Sequence, residues 1–129
     1  MRIFKNAWFV RFARSQDIPD EALREAVLRA ESGQVDADLG GGVLKQRIAR
    51  SGQGKSKGYR TIILLREGHR AFFVYGFTKS DRDNIRKDEA EQFKKMAKHV
   101  LWLSEAQLNI LIANGQLEEV ESNDKKVSK

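Results

Sequence analysis

Lys45, Arg47, Arg50, Lys55, Lys57, Arg60 and Lys79 crowd the middle of this 129-residue chain, interleaved with Tyr59, Tyr75 and Phe77. Residues 43–79 hold nine basic side chains and one acidic one, whereas residues 1–42 hold six and seven, and residues 80–129 hold nine and ten. The net charge of +6 is therefore concentrated in one segment. Long cations gain from pairing with phosphates and from the counterions the phosphates release, and aromatic faces stack on unpaired bases. Single-stranded RNA would use both. The bland alternative is a solvated basic face.

The same set could cut RNA as well as bind it. Cleavage through the RNA's own 2′-hydroxyl needs a base for that proton, charge to stabilise the crowded phosphorane, and an acid for the leaving oxygen. The familiar carboxylate and histidine pair is missing: Glu67 and His69 fall together in the turn-like stretch REGHR, where solvation is expected. Any catalysis here would lean on arginine electrostatics. Tyr59 and Phe77 are equally suited to sheet packing or to stacking on bases. Tyr75 either points to the basic face or packs in the sheet, and Arg82 is either an RNA contact or a solvated loop residue.

A competing motif lies in the same place. ARSGQGKS, residues 49–56, satisfies a permissive phosphate-binding P-loop pattern. A P-loop works because its Gly-rich turn runs directly into a helix whose first N–H groups hold the phosphates. Here GKS is followed by KGYRTIILL, a strand pattern, and no acidic residue ends another apolar strand to hold magnesium. The stretch fits better as a basic loop between two antiparallel strands, with Gly52, Gly54 and Gly58 giving freedom and Lys55 and Lys57 reaching outward.

The flanking elements follow from periodicity. Arg2 to Lys5 is a short strand, and Asn6 suits the N-cap of a helix with Trp8, Phe9 and Phe12 on one side. Pro19, Asp20 and Glu21 open a second helix striped by Leu23, Ala26, Val27 and Ala30. DADLGGG is expected to be a loop. In VLKQRIAR, Leu44 and Ile48 share one face and Lys45 and Arg47 the other. TIILL and RAFFVYGFT form a hairpin through REGHR, with Arg66 and Arg70 flanking the turn in solvent. From Asp88 a helix turns Phe93, Met96, Ala97, Val100 and Leu101 inward, with Lys94, Lys95 and Lys98 on its solvated face. Ser104 and Gln107 have capping-box spacing for a last helix that stops near Asn114-Gly115. Trp8, His99 and Trp102 are expected to be structural.

The length fits a single domain, expected over residues 1–117, with residues 118–129 as a polar tail. No cysteine is present, which removes disulfides, thiolate nucleophiles and Cys-based zinc sites together. Two distant histidines make no metal site, so neither a metal nor another cofactor is expected. No apolar run is long enough to span a bilayer and the N-terminus lacks a signal-peptide pattern, so no membrane partner and a cytoplasmic location are expected.

The run LKQRIARSGQGKSKGYRTIILL, followed by AFFVYGFTKSDRDNI, resembles the RelE-type toxins of bacterial toxin–antitoxin pairs, specifically the HigB-like branch with its Gly/Lys loop, its GYR or GVR and a Lys soon after the last strand. The likeness extends over roughly residues 1–115. It implies an α+β fold of the RelE type: a curved, mainly antiparallel sheet with two N-terminal helices packed on one face, and C-terminal helices. It also implies an mRNA endonuclease acting in the ribosomal A site, neutralised by a cognate antitoxin. By position, Lys45 and Arg47 match the family's basic pair, Arg60 its phosphate-binding arginine, and Lys79 the Lys after the last strand. The tyrosine that RelE carries beyond that lysine has no counterpart in DRDNIRKD. Two other functions compete: a non-cleaving inhibitor of DNA gyrase, like the related ParE-type proteins, and a plain RNA-binding module.

Overall fold

Asn6 ends one strand and starts one helix: its side chain accepts a hydrogen bond from Phe9 N at 2.8 Å. In the computed structural model, which describes residues 1–50 and 58–121, the elements run β1 (Arg2–Asn6), α1 (Ala7–Ser15), α2 (Asp20–Glu31), β2 (Ala37–Gly40), β3 (Val43–Ile48), β4 (Tyr59–Arg66), β5 (Arg70–Thr78), α3 (Lys87–Val100), α4 (Glu105–Ala113) and β6 (Leu117–Glu119). The six strands form one sheet in the order β2-β3-β4-β5-β1-β6. Only the β1–β5 pair is parallel; the others are antiparallel. Among the described residues no helix is long and apolar enough to cross a membrane.

Both faces of the sheet are covered. Phe9, Leu23, Val27 and Ala30 of α1 and α2 pack with Leu44, Ile48, Ile63 and Phe73. On the opposite face Ala97, Leu101 and Leu108, from α3, its C-cap and α4, pack with Phe4, Val43, Ile62, Leu64 and Phe72. β4 is consequently buried at every position but its last, as a strand with two covered faces should be. The expected α+β architecture, with two N-terminal helices on one face of a mainly antiparallel sheet, is therefore the observed one, and the C-terminal helices cover the other face.

Two glycines are required by close approach. A Cβ on Gly76 would lie 2.5 Å from the Phe12 ring, so its absence lets α1 press on β5. A Cβ on Gly58 would lie 1.9 Å from Ile48 O, so only glycine lets the chain enter β4 alongside the end of β3. That contact sets Arg60 opposite Arg47.

Several expectations need correction. DADLGGG is not all loop: Ala37–Gly40 pairs with β3, and Gly40, Gly41 and Gly42 all have positive φ in the turn between them. Residues 117–119 form β6, paired with β1, and Val120 is buried with its N–H donating to Ile3 O at 2.8 Å. The expected domain boundary at residue 117 thus falls inside a strand. Met96 is exposed rather than inward-facing. Arg70 is buried, with Nη1 donating to Leu103 O at 2.5 Å and Nη2 to Glu105 at 3.1 Å. The α3–α4 connection brings those acceptors to the hairpin turn, which no local pattern foretells.

Candidate nucleic-acid site

The register of the β3–β4–β5 ladder brings the central cations together. Lys45 faces Ile62, Arg47 faces Arg60, and Arg60 faces Phe77 on its other side. Alternation places Lys45, Arg47, Arg60 and Ile62 on one face, because Ile62 belongs to the core cluster beneath α3 and α4 while Leu44, Ile48 and Ile63 belong to the other. Like charges set directly opposite across an antiparallel pair are destabilising. Arg47 is exposed and meets the cost in solvent, but Arg60 is only 8% exposed.

Arg60 Nη1 is buried and has no hydrogen-bond partner among the described residues. A buried donor left unmade costs about 1–3 kcal/mol, more when charged. Phosphate and carboxylate oxygens are the acceptors whose geometry and charge a guanidinium fits best.

A β-bulge aims the aromatic side chains. Ile62 pairs with Tyr75 and Ile63 with Phe73, so Val74 is the extra residue between them. Strict alternation would put Tyr75 and Phe77 on the face of Phe73, under α1. The bulge turns them to the face of Arg60 instead. Phe77 is buried and packs there. Tyr75 is half-buried, with Trp8 at 4.5 Å, Phe93 at 6.1 Å and Phe77 at 6.0 Å between ring centroids.

The segment after β5 closes on this face. Arg82 Nη1 donates to the Tyr75 hydroxyl at 3.0 Å, Nε donates to Asn84 O at 3.0 Å, and the guanidinium grips Glu89 through Nη1 at 3.1 Å and Nη2 at 2.5 Å. Its carbon lies 5.7 Å from the ring centres of both Tyr75 and Phe77. Lys45 Nζ donates to Asn84 Oδ1 at 3.1 Å. The Arg82 guanidinium, helped by the Arg86 N–H, holds the Glu89 carboxyl down at about 2, and Glu89 with Tyr75 keeps the Arg82 guanidinium more firmly protonated than usual.

The sequence-expected residues therefore separate into four groups. Lys45, Arg47, Arg60, Tyr75, Phe77 and Arg82 come together. Lys79 is exposed in the turn that follows β5. Tyr59 and Arg50 do not join them: Tyr59 is in the core under α1 and α2, its hydroxyl donating to Gln16 O at 3.2 Å, and the Arg50 guanidinium lies 5.3 Å from its ring centre. Tyr59 is thus taken up by packing, and Arg50 lines a groove of ≈ 520 Å³ beside Gln16, Asp17 and Pro19. Lys55 and Lys57 lie outside the described residues. Sequence reasoning missed Glu89, Asn84 and the approach of Trp8, none of which has a local signature.

The sequence model of one protein family, described as the RelE toxin of the RelE/RelB toxin–antitoxin system, matches residues 1–120. The chain belongs to the RelE toxin family. Neither a curated protein nor a solved structure gives a significant match. Membership makes this RelE-family protein the toxin of a toxin–antitoxin pair, with a cognate antitoxin as its partner. The match extends across β6 and Val120, in keeping with their place in the fold.

Proposed function

We propose that this RelE-family toxin is a ribosome-dependent endoribonuclease that cleaves mRNA by attack of a 2′-hydroxyl on the adjacent phosphate. The observation that carries this reading is Arg60: a buried guanidinium with a nitrogen that has no partner among the described residues, set opposite a second arginine on a face that also holds Lys45. Arg60 would hold a non-bridging oxygen of the scissile phosphate. Lys45, Arg47 and Lys79 would add positive charge as the phosphorane forms, which is where preorganised electrostatics act most strongly. Tyr75 offers its hydroxyl on the same face for proton transfer.

The bonds balance simply. The 2′-oxygen forms a bond to phosphorus and releases its proton to a base, the bond from phosphorus to the 5′-oxygen breaks, and that oxygen takes up a proton. The products are a 2′,3′-cyclic phosphate and a 5′-hydroxyl. Dependence on the ribosome rests on the family, whose toxins act there, and accords with a site that has strong cations but no carboxylate–histidine pair: the ribosome would supply the aligned substrate.

The test is to map new 5′ ends on a defined mRNA in a bacterial translation reaction. Cuts are expected only with ribosomes present, and Arg60→Ala should reduce them by about 10²–10³-fold. A folded Arg60→Ala protein that cuts normally would remove the site. Salt-sensitive binding of mRNA without any cut would point to a binding module, and gyrase-dependent DNA breaks would point to a ParE-type inhibitor.

A further inference from the structure

Arg82 was expected as either an RNA contact or a solvated loop residue, yet its fork is already occupied. Of its five N–H groups, one goes to Asn84 O, two from Nη1 go to Tyr75 and Glu89, and one from Nη2 goes to Glu89. A phosphate would have to displace a carboxylate that is held at both oxygens. The remaining feature of Arg82 is what it does to Tyr75: it donates to the phenol oxygen and spans the Tyr75 and Phe77 rings.

We infer that Glu89 is a positioning residue of the cleavage site: by clamping Arg82, it fixes the Tyr75 hydroxyl on the Arg60 face. This rests on the RNA-cleavage reading above. The same segment reaches Lys45 through Asn84 Oδ1, which also accepts from Ile85 N at 2.9 Å. Glu89 is the anchor because it sits on a regular element. It is the third residue of α3, and its Oε1 accepts from Arg86 N at 2.7 Å in a capping box. The start of α3 therefore fixes Glu89, Glu89 fixes Arg82, and Arg82 fixes Tyr75.

The division of labour between the two carboxylate oxygens makes this testable. Oε1 takes both the Arg86 N–H and Arg82 Nη2, while Oε2 takes Arg82 Nη1, the nitrogen that also serves Tyr75. Glu89→Gln keeps an oxygen for the helix cap, since glutamine serves in a capping box as well as glutamate. It replaces the other oxygen with an NH2 that faces Arg82 Nη1 donor to donor. A cap role alone would leave Glu89→Gln unchanged.

The experiment is single-turnover cleavage of mRNA on stalled ribosomes as a function of toxin concentration, for the wild type, Glu89→Gln, Arg82→Lys and the double variant, with melting temperatures alongside. The expected result is a rate at saturation lowered about 10- to 100-fold in Glu89→Gln, with half-saturation close to wild type and only a small drop in melting temperature. The double variant should be no slower than Arg82→Lys, because the two residues act as one unit. In NMR spectra the Arg82 Nε–H signal should be sharp in the wild type and broadened in Glu89→Gln. Wild-type or faster cleavage by Glu89→Gln would overturn the inference, the faster outcome meaning that Glu89 competes with RNA for Arg82. A wild type that does not cut would fail the cleavage reading itself, and this inference with it.

Discussion

β4 carries an arginine near each end of one face, and each faces another arginine across the ladder: Arg60 opposes Arg47, and Arg66 opposes Arg70. The two pairs are resolved in opposite ways. At the hairpin turn, Arg70 donates to Leu103 O and Glu105, and Arg66 donates to Leu101 O at 3.4 Å with its guanidinium 3.9 Å over the Trp102 ring. Arg2 adds a further contact with Glu105 at 2.6 Å. At the other end Arg60 Nη1 has no partner among the described residues, and Arg47 stands in solvent. The same local arrangement is thus satisfied where the chain supplies acceptors and keeps an unpaired nitrogen, among the described residues, where it does not. On the function proposed above, that uncompensated repulsion is the cost the site carries when no RNA is bound.

The largest effect should come from separating activity from stability at these two ends. Arg60→Ala, expected to remove cleavage, should leave the unfolding midpoint at or above that of the wild type, because it deletes a buried donor with no partner among the described residues and a repulsive neighbour. Arg70→Ala should do the reverse. It leaves the Leu103 carbonyl without its donor and Glu105 with one fewer, a loss of about 1–3 kcal/mol, while each molecule that remains folded cuts at the wild-type rate. Urea unfolding paired with the ribosomal cleavage reaction checks both. If Arg60→Ala destabilises as much as Arg70→Ala, the distinction between the ends collapses.

A smaller effect would sharpen the comparison by converting one end into the other. Arg47→Glu places a carboxylate directly opposite Arg60, as Glu105 serves Arg70 at the turn. Opposite charges at facing positions are worth roughly 0.2–1 kcal/mol, so this variant should unfold at slightly higher urea than the wild type. It should also lose cleavage, since its own carboxylate would then occupy the Arg60 guanidinium. A variant that gained stability and still cut RNA at full rate would show that Arg60 is not the phosphate ligand.

Why one end was legible in the sequence and the other was not follows from the range of the interactions. Period-two alternation in VLKQRIAR set Lys45 and Arg47 against Leu44 and Ile48, and that is what the ladder shows. The glycine before Tyr59-Arg60 marked the entry to β4. Arg66 and Arg70, read as turn cations in solvent, are satisfied from a connection more than thirty residues away, at Leu101 to Glu105. Alternation failed at Tyr75, because the extra residue Val74 reverses the faces beyond it. β2 was hidden by the glycine run that begins at its last residue, Gly40. β6 was hidden by its brevity and its two glutamates, which serve as ion-pair partners: Glu118 for Lys5 at 2.9 Å and Glu119 for Arg2 at 2.8 Å.

Arg82 lies at the open end but is neutralised like the arginines at the turn, and the pH dependence of stability should register that. Glu89 titrates at about 2 in the folded protein, below the ~4.3 of an unfolded glutamate. A carboxylate whose pKa falls on folding adds stability that is fully present above its unfolded value and is lost as the pH falls toward its folded one. The difference in urea midpoint between the wild type and Glu89→Gln should therefore be constant from pH 8 to about 5 and shrink between roughly pH 4 and 2. The effect is the smallest of these because the pair is partly exposed and solvent screens it. A difference that persisted unchanged to pH 2 would mean that the charge of Glu89 is not what holds Arg82. Arg82 would then belong with Arg60 and Arg47, as a third cation of the proposed RNA site.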